Sequence, residues 1–443
     1  MEKPFKKFMF YVAFVASLGG FLFGYDTAVI SGAEAAIQQV YRLSDAWHGF
    51  TIAIALIGTI AGTLVCAKPV EQYGRKYSML WIAYIYLISA VGSGLVVNWY
   101  AFLFFRFIGG IAIGASSVVG PMYLAEISPA NWRGRFVAFF QFNIVFGIVV
   151  AYLVNYALSG VAHDWRWMLG VTGVPALLYG ILITTVPESP RWLVKVGRET
   201  EAMAVFKKIG EHNLTQALTA IRESLKASII VNEPLFQRKY MKPIWYALLI
   251  ATFNQLSGIN AILYYAPRIF ESAGLLRDSA LLQSAIIGLT NLVFTLFAMV
   301  IIDRVGRKKL LIIGSVGMVI SLILVARAFF LHSFSGHAML IYLIGFIASF
   351  AISLGAVIWV LISEIFPTQV RSKGQVLGSL THWLWNTLLS WVFPIIVGGF
   401  LHGAAIMFGV FALMMLANLI FSWLVLPETK NKSLEQLQQE LTQ

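Results

Sequence analysis

Two ionisable residues stand inside stretches that are otherwise comfortable in lipid. Asp26 sits in the middle of "GGFLFGYDTAVISG", residues 19–32, and Arg106 in "FLFFRFIGG", residues 102–110. A charge at the centre of a membrane helix costs about 2.5–3.5 kcal/mol on insertion scales, and such residues are functional candidates whose partner must be named. Arg106 is the only base in the body of the first six apolar runs, so pairing it with Asp26 is the simplest way to bury both. Burial favours a neutral carboxyl and a guanidinium neighbour favours a charged one. That opposition suits an acid which must take up and release a proton. A static pair that only fixes helix packing is the alternative, weakened because buried ion pairs are not reliably stabilising.

A second constellation is built of amides. "FNQLSGINAILYY", residues 253–265, carries Gln255 and Asn260 five positions apart, about 140° round a straight helix. Gly258 between them permits a break that turns both to one side. Neutral amides suit an uncharged, hydroxyl-bearing ligand, whereas an anion would call for arginine or lysine.

These groups need a membrane scaffold. Of 443 residues, 59% are hydrophobic and 12% charged, against about 45–50% and about 25% in soluble domains. Spanning the hydrocarbon layer takes about 20 apolar residues, and twelve runs qualify: 8–31, 48–67, 78–97, 101–124, 136–157, 167–186, 243–270, 281–302, 309–330, 338–362, 374–400 and 403–426. The start, "MEKPFKKFMF", enters the first run with no small-residue cleavage site, so no cleaved leader is expected. The single cysteine, Cys66, leaves no disulfide framework and reads as a small packing residue. Of the 32 lysines and arginines, 26 fall in the two tails and the loops after even-numbered runs. By the positive-inside rule both termini are then cytoplasmic. The net charge of +12 is topological, and nucleic acid is not an expected partner.

The two halves repeat each other. "EQYGRKYSML" matches "DRVGRKKLLI", "YLAEISPANWRGR" matches "LISEIFPTQVRSKG", and "VPESPRWL" matches "LPETKNKSL", in order and at nearly constant offset. The expected architecture is an all-α membrane protein of twelve transmembrane helices in two pseudo-symmetric six-helix halves, 1–186 and 243–426. A cytoplasmic helical linker covers 187–242 and a cytoplasmic tail 427–443. Parallel repeats of this kind rock about a central site. Gly74 and Gly306 permit tight turns, and Arg75, Lys76, Arg307 and Lys308 are placed to pair with acids on neighbouring helix ends. Glu126 and Arg133 are seven apart across a Pro-containing turn, as are Glu364 and Arg371. Either these charges pair between the halves as locks that break during rocking, or they only anchor helices at the interface and set orientation. The linker carries two apolar stripes, Ala202, Val205, Phe206 and Ile209, then Leu218, Ile221 and Leu225. The tail repeats the pattern with Leu434, Leu437 and Leu441.

The set "GYDTAVISG", "GRK", "PMYLAEISP", "WRG", "PESPRWL", "QLSGINAILYYAP", "DRVGRK", "SEIFPTQVR" and "PETK" resembles the sugar porter family of the major facilitator superfamily over about residues 10–437. That family includes proton–xylose symporters and facilitative glucose transporters. The resemblance implies a major facilitator fold, with Asp26 as proton acceptor and Arg106 as its partner; facilitative members carry a neutral residue at the position of Asp26. It extends the sugar lining to Gln141, Asn291, Trp359, His382, Trp383 and Asn386, with Phe23 as an aromatic wall beside Asp26. Tyr264 and Tyr265 match the family's outer gate. Asn254 stands where many relatives have a second Gln, and His382 replaces a Gln or Asn. A lone membrane histidine is more often a packing residue than a ligand. Ile148 stands where the xylose symporters offer another Gln, so one xylose-type contact is missing.

The implied function is a proton-coupled symporter of a neutral hexose or pentose in the plasma or inner membrane, working as a monomer with no metal or other cofactor. One charge crossing 100 mV releases about 2.3 kcal/mol, enough for roughly 50-fold accumulation of a neutral solute. A facilitative uniporter is the alternative within the class. A transporter-shaped sugar sensor would call for a long cytoplasmic extension, and an enzyme for a nucleophile–His–acid group, metal-spaced histidines or a phosphate loop; neither feature is evident in the sequence.

Overall fold

The computed structural model describes residues 3–129, 132–210, 213–230, 233–334, 336–367 and 369–430. The described residues form nineteen α-helices and one 3-10 turn at Arg238–Tyr240, without strands. In chain order they are α1 (Lys3–Val40), α2 (Asp45–Val65), α3 (Ala67–Tyr73), α4 (Arg75–Leu95), α5 (Trp99–Ile127), α6 (Arg133–Leu158), α7 (Asp164–Gly170), α8 (Gly173–Ile183), α9 (Pro190–Lys195), α10 (Glu199–Lys208) and α11 (Leu214–Ile230). Then follow α12 (Met241–Leu256), α13 (Ile259–Ser272), α14 (Arg277–Val305), α15 (Arg307–Phe330), α16 (Gly336–Ile352), α17 (Leu354–Ile365), α18 (Arg371–Gly399) and α19 (Gly403–Leu424). Among the described residues, twelve helical stretches are long and apolar enough to cross a membrane. This is a multi-pass, all-α membrane protein.

Two compact units divide the chain. One comprises residues 1–29, 54–151 and 160–232, the other 30–53, 152–159 and 233–443. In the first unit, small residues let helix backbones approach closely. Gly58 and Gly62 of α2 meet Gly110 and Gly114 of α5 so tightly that a Cβ on any of the four would strike a backbone carbonyl oxygen at 1.9–2.2 Å. Gly24 of α1 lies as close to the Ile144 carbonyl of α6. These contacts set α1 and α5, the carriers of Asp26 and Arg106. The linker helices join the same core: Ala202, Val205, Phe206 and Ile209 are buried with Met9, Val70 and Tyr123, and Leu218 and Ile221 pack against them. The side chain of Leu225 and the tail leucines Leu434, Leu437 and Leu441 lie outside the described residues.

In the second unit, α15 packs on α19 and α16, and α12 on α18. Two of its spans are broken. α12 gives way to α13 at Gly258, whose φ of +84° is a left-handed conformation that glycine adopts without penalty. A Cβ there would meet the Phe411 ring at 2.3 Å. α16 gives way to α17 at Ser353 (φ −119°, ψ −100°). The first span runs past the expected end at residue 31 and continues to Val40. Glu34, Ala33 and Ile37 are all buried there, so packing in the second unit carries the helix beyond the apolar run.

Candidate functional site

Asp26 on α1 and Arg106 on α5 meet directly. Arg106 Nη1 donates to Asp26 Oδ1 at 2.8 Å, with the side chains only 4% and 9% exposed. Arg106 Nε has no hydrogen-bond partner among the described residues, so the guanidinium makes one charged contact and keeps donors in reserve. Phe23, one turn before Asp26, is half-buried and its carbonyl accepts from Thr27 Oγ1 at 2.8 Å. Gln141 on α6 is half-buried, without a hydrogen-bond partner among the described residues. Ile148, two turns further, is buried.

The amides of the second unit form a continuous network. The break at Gly258 brings Asn260 back onto Gln255, with Asn260 Nδ2 donating to Gln255 Oε1 at 2.8 Å. Gln255 Nε2 donates to Asn254 Oδ1 at 3.0 Å and lies 3.1 Å from each ring nitrogen of His382. Asn254 Nδ2 in turn reaches the Leu354 carbonyl at 3.2 Å, the first residue after the break in the other discontinuous span. His382 is therefore part of the polar network and not an isolated packing residue. Its ring lies 5.0 Å from that of Trp359 and 5.1 Å, edge-on, from that of Trp383. Trp359 is 40% exposed. Asn386 Nδ2 approaches the Tyr264 hydroxyl at 3.5 Å and its Oδ1 accepts from Ser390 at 3.2 Å. Asn291 is buried on α14 beside Thr295, 3.4 Å away.

The tyrosines differ in setting. Tyr265 is fully buried with non-helical φ and ψ of −114° and 17°, two residues before Pro267. Proline has no N–H to give to the carbonyl four residues back, which is Leu263, and Tyr152 O–H donates to that carbonyl at 2.6 Å. In α18, Pro394 leaves the Ser390 carbonyl in the same position, and Tyr265 O–H donates to it at 3.0 Å.

The repeated loop motifs close into two knots, each inside one unit. In the first, Arg75 Nη2 contacts Glu126 Oε1 at 2.8 Å, Ser189 Oγ donates to Glu126 Oε2 at 2.6 Å, and Glu188 Oε1 accepts the Arg75 backbone N–H at 2.9 Å. In the second, Arg307 Nη2 contacts Glu364 Oε1 at 2.8 Å, Thr429 Oγ1 donates to Glu364 Oε2 at 2.6 Å, and Glu428 Oε1 accepts the Arg307 N–H at 3.0 Å. Glu188 and Glu428 were not among the sequence-predicted site residues, although their motif recurs at the same offset as the others. A carboxylate at a helix N-terminus meets both the free N–H groups and the positive end of the dipole. Glu126 and Glu364 take Arg75 and Arg307 as partners. Arg371 Nε donates to the Phe366 carbonyl at 3.3 Å, and the Arg133 side chain lies outside the described residues.

Comparison with known proteins agrees with this geometry. The family model for sugar (and other) transporters matches residues 12–441. The D-xylose-proton symporter of Escherichia coli (strain K12) is 37% identical, the match covering 97% of this chain and 95% of that protein. The arabinose-proton symporter of Bacillus subtilis (strain 168) is 35% identical over 97% and 94%. Among solved structures, the inward-open xylose transporter XylE from E. coli superposes with a TM-score of 0.88 at 36% identity, covering 98% of this chain and 100% of that one. The proton:xylose symporter XylE bound to 6-bromo-6-deoxy-D-glucose gives a TM-score of 0.80 at 37% identity, over 98% of this chain and 99% of that one. With twelve apolar helices, a buried acid–guanidinium pair and an amide network in a broken span, the chain belongs to the sugar transporter family of the major facilitator superfamily.

Proposed function

We propose that the protein is a proton-coupled monosaccharide symporter working by alternating access, as a monomer in the cell membrane with both termini cytoplasmic. The observation that carries this reading is the buried 2.8 Å contact between Asp26 and Arg106. A proton arriving on Asp26 removes the carboxylate charge and frees the guanidinium; its departure restores the pair. One protonation event thus changes which contacts Arg106 makes, and so biases a two-state carrier. The two halves, 1–186 and 243–426, are the moving bodies of that carrier, and the Arg75–Glu126 and Arg307–Glu364 knots, with Arg133, Arg371, Tyr264 and Tyr265, are its gating elements.

The sugar is held by Gln255, Asn260, Asn254, Asn291 and Asn386, with His382 offering a ring nitrogen and Trp359 and Trp383 offering apolar faces to C–H surfaces. Gln141 adds a free amide from α6, and Phe23 an aromatic wall. Relatives are named for xylose, arabinose and glucose transport, which supports a pentose or hexose. Ile148 offers no hydrogen bond, so the fit to xylose is not that of the xylose symporters.

The test is uptake in proteoliposomes. Asp26→Asn should abolish uphill accumulation and sugar-induced alkalinisation of the medium while sugar exchange persists; normal accumulation by this variant would overturn the coupling assignment. Exchange without any proton movement in the unmodified protein would make it a uniporter. Gln255→Ala should weaken sugar binding by about 1–3 kcal/mol through loss of a buried hydroxyl partner, read by calorimetry.

A further inference from the structure

A second titratable cluster lies in the second unit and takes no part in the site above. Glu34 near the end of α1 and His48 in the first turn of α2 are 1% and 0% exposed. His48 Nε2 lies 2.7 Å from Glu34 Oε2, and Arg268 Nε on α13 lies 3.0 Å from Glu34 Oε1. Arg268 continues the chain through Gln38 Oε1 at 2.6 Å, and Gln38 Nε2 donates to Asp45 Oδ1 at 3.0 Å. The Tyr265 ring meets His48 edge-on at 5.9 Å. His48 Nδ1, His48 Nε2 and Glu34 Oε2 are all buried with no hydrogen-bond partner among the described residues.

The groups facing the pair can be named from each neighbouring element. From α13 these are Arg268, Tyr265 and Glu271, the last within electrostatic reach of Glu34. From α1 there is Gln38, and from the start of α2 there is Asp45. From α14, Arg277 Nη2 approaches the Gly32 carbonyl at 3.4 Å. Among the described residues, Arg268 is the arginine or lysine paired with Glu34. An additional positive charge on His48 is tolerable because it would sit at contact distance from the Glu34 carboxylate. Neither ring nitrogen has a hydrogen-bond partner among the described residues, so the ring has a position open to that proton.

We propose that Glu34, His48 and Arg268 form a second proton-binding site, distinct from Asp26, in which a proton on His48 latches the ends of α1 and α2 to α13. With the proton in place, Glu34 is gripped from two sides by cations. Without it, His48 is a neutral neighbour, Arg268 is the one cation left against the carboxylate among the described residues, and the 41–48 turn loosens. In the proposed orientation this cluster faces the side from which protons enter.

The experiment is hydrogen–deuterium exchange of the full chain in nanodiscs, without sugar, between about pH 5.5 and about pH 8, where a histidine ordinarily changes charge. After correction for intrinsic rates, amides of residues 41–50 should lose protection by roughly ten-fold as the pH rises, one proton's worth of linkage. His48→Leu should flatten that response, and Glu34→Gln should reduce it. Asp26→Asn should leave it in place, so failure of the latch and failure of the coupling reading are separable. No pH response in the unmodified protein would overturn the proposal, and so would an unchanged response in His48→Leu. Should His48→Leu fail to fold, the same reading is taken from His48→Gln.

Discussion

The two charge knots are built on one plan but finished differently. Arg75 with Glu126, Ser189 and Glu188 repeats Arg307 with Glu364, Thr429 and Glu428, contact for contact. The difference is at the rim. In the second unit Asp303 turns onto Arg307 itself at 3.1 Å. Its counterpart in the first unit, Glu71, is drawn off by Lys195 of α9 at 2.9 Å, while its carbonyl accepts from Trp192 Nε1 at 2.8 Å. The linker helix thereby closes the first knot: the Glu126 side chain is 10% exposed against 21% for Glu364. The inner ring of contacts is common to both units, and neighbouring chain decides how dry it is.

The contrast can be broken most forcefully at the arginines. Removing one member of a buried ion pair strands the other, at about 3–5 kcal/mol. Arg75→Met is expected toward the upper end and Arg307→Met at or below the lower one, because Glu364 keeps more water; equal losses in thermal unfolding would erase the distinction. Gly74→Ala and Gly306→Ala come next. Both glycines have φ near +90 to +100° (+92° and +101°), and an added Cβ meets a carboxylate oxygen at 2.3 Å and 2.6 Å respectively. A non-glycine residue in such a region costs about 1–3 kcal/mol, with the larger loss at Gly74; the same unfolding assay reads it. Ser189→Ala and Thr429→Ala each remove a single hydrogen bond to a carboxylate, about 1 kcal/mol, and the loss at Ser189 should be greater since its hydroxyl also accepts from Trp192 N at the start of α9.

The smallest effect is one of pH. Burial pushes the Glu188 carboxyl above the usual value of 4.5, against the pull of the Ser189, Lys76 and Arg75 backbone N–H groups and the Arg75 charge. The folded chain then holds that proton more tightly than the unfolded one. This stabilising contribution is present in full below the usual value and is lost as pH rises through the raised one. The midpoint of unfolding should drop slightly across that window. Glu188→Gln should remove this slope, whereas Glu428→Gln should leave it.

Some of this was legible in the sequence because the signal was local. Asp26 and Arg106 are conspicuous against apolar surroundings, and a helix break at Gly258 follows from a residue that alone tolerates the required φ. Arg75 and Arg307 were marked by their repetition. Other features depend on residues far apart in the chain. Nothing in "SFAISLGAV" announces the break at Ser353, whose hydroxyl donates to the Ser349 carbonyl at 2.6 Å and whose neighbours come from other helices. Glu34 was passed over because the apolar run ends before it, yet packing with α13 makes it as buried as any leucine. His382 entered the sugar lining through the family resemblance alone, because its amide partner, Gln255, is 127 positions away.

The two prolines of α13 and α18 have a mechanical corollary. Each bend leaves an acceptor that its own helix no longer serves, and in both cases a phenol from a different helix fills the vacancy. A carbonyl in hydrocarbon has no water to turn to, so neither helix can straighten or swing far without either dragging its tyrosine along or leaving a dry oxygen behind. Tyr152 thus tethers α6 to α13, and Tyr265 tethers α13 to α18. Movement at one bend is transmitted through two hydroxyl groups to three helices, which behave as a linked train and not as independent hinges.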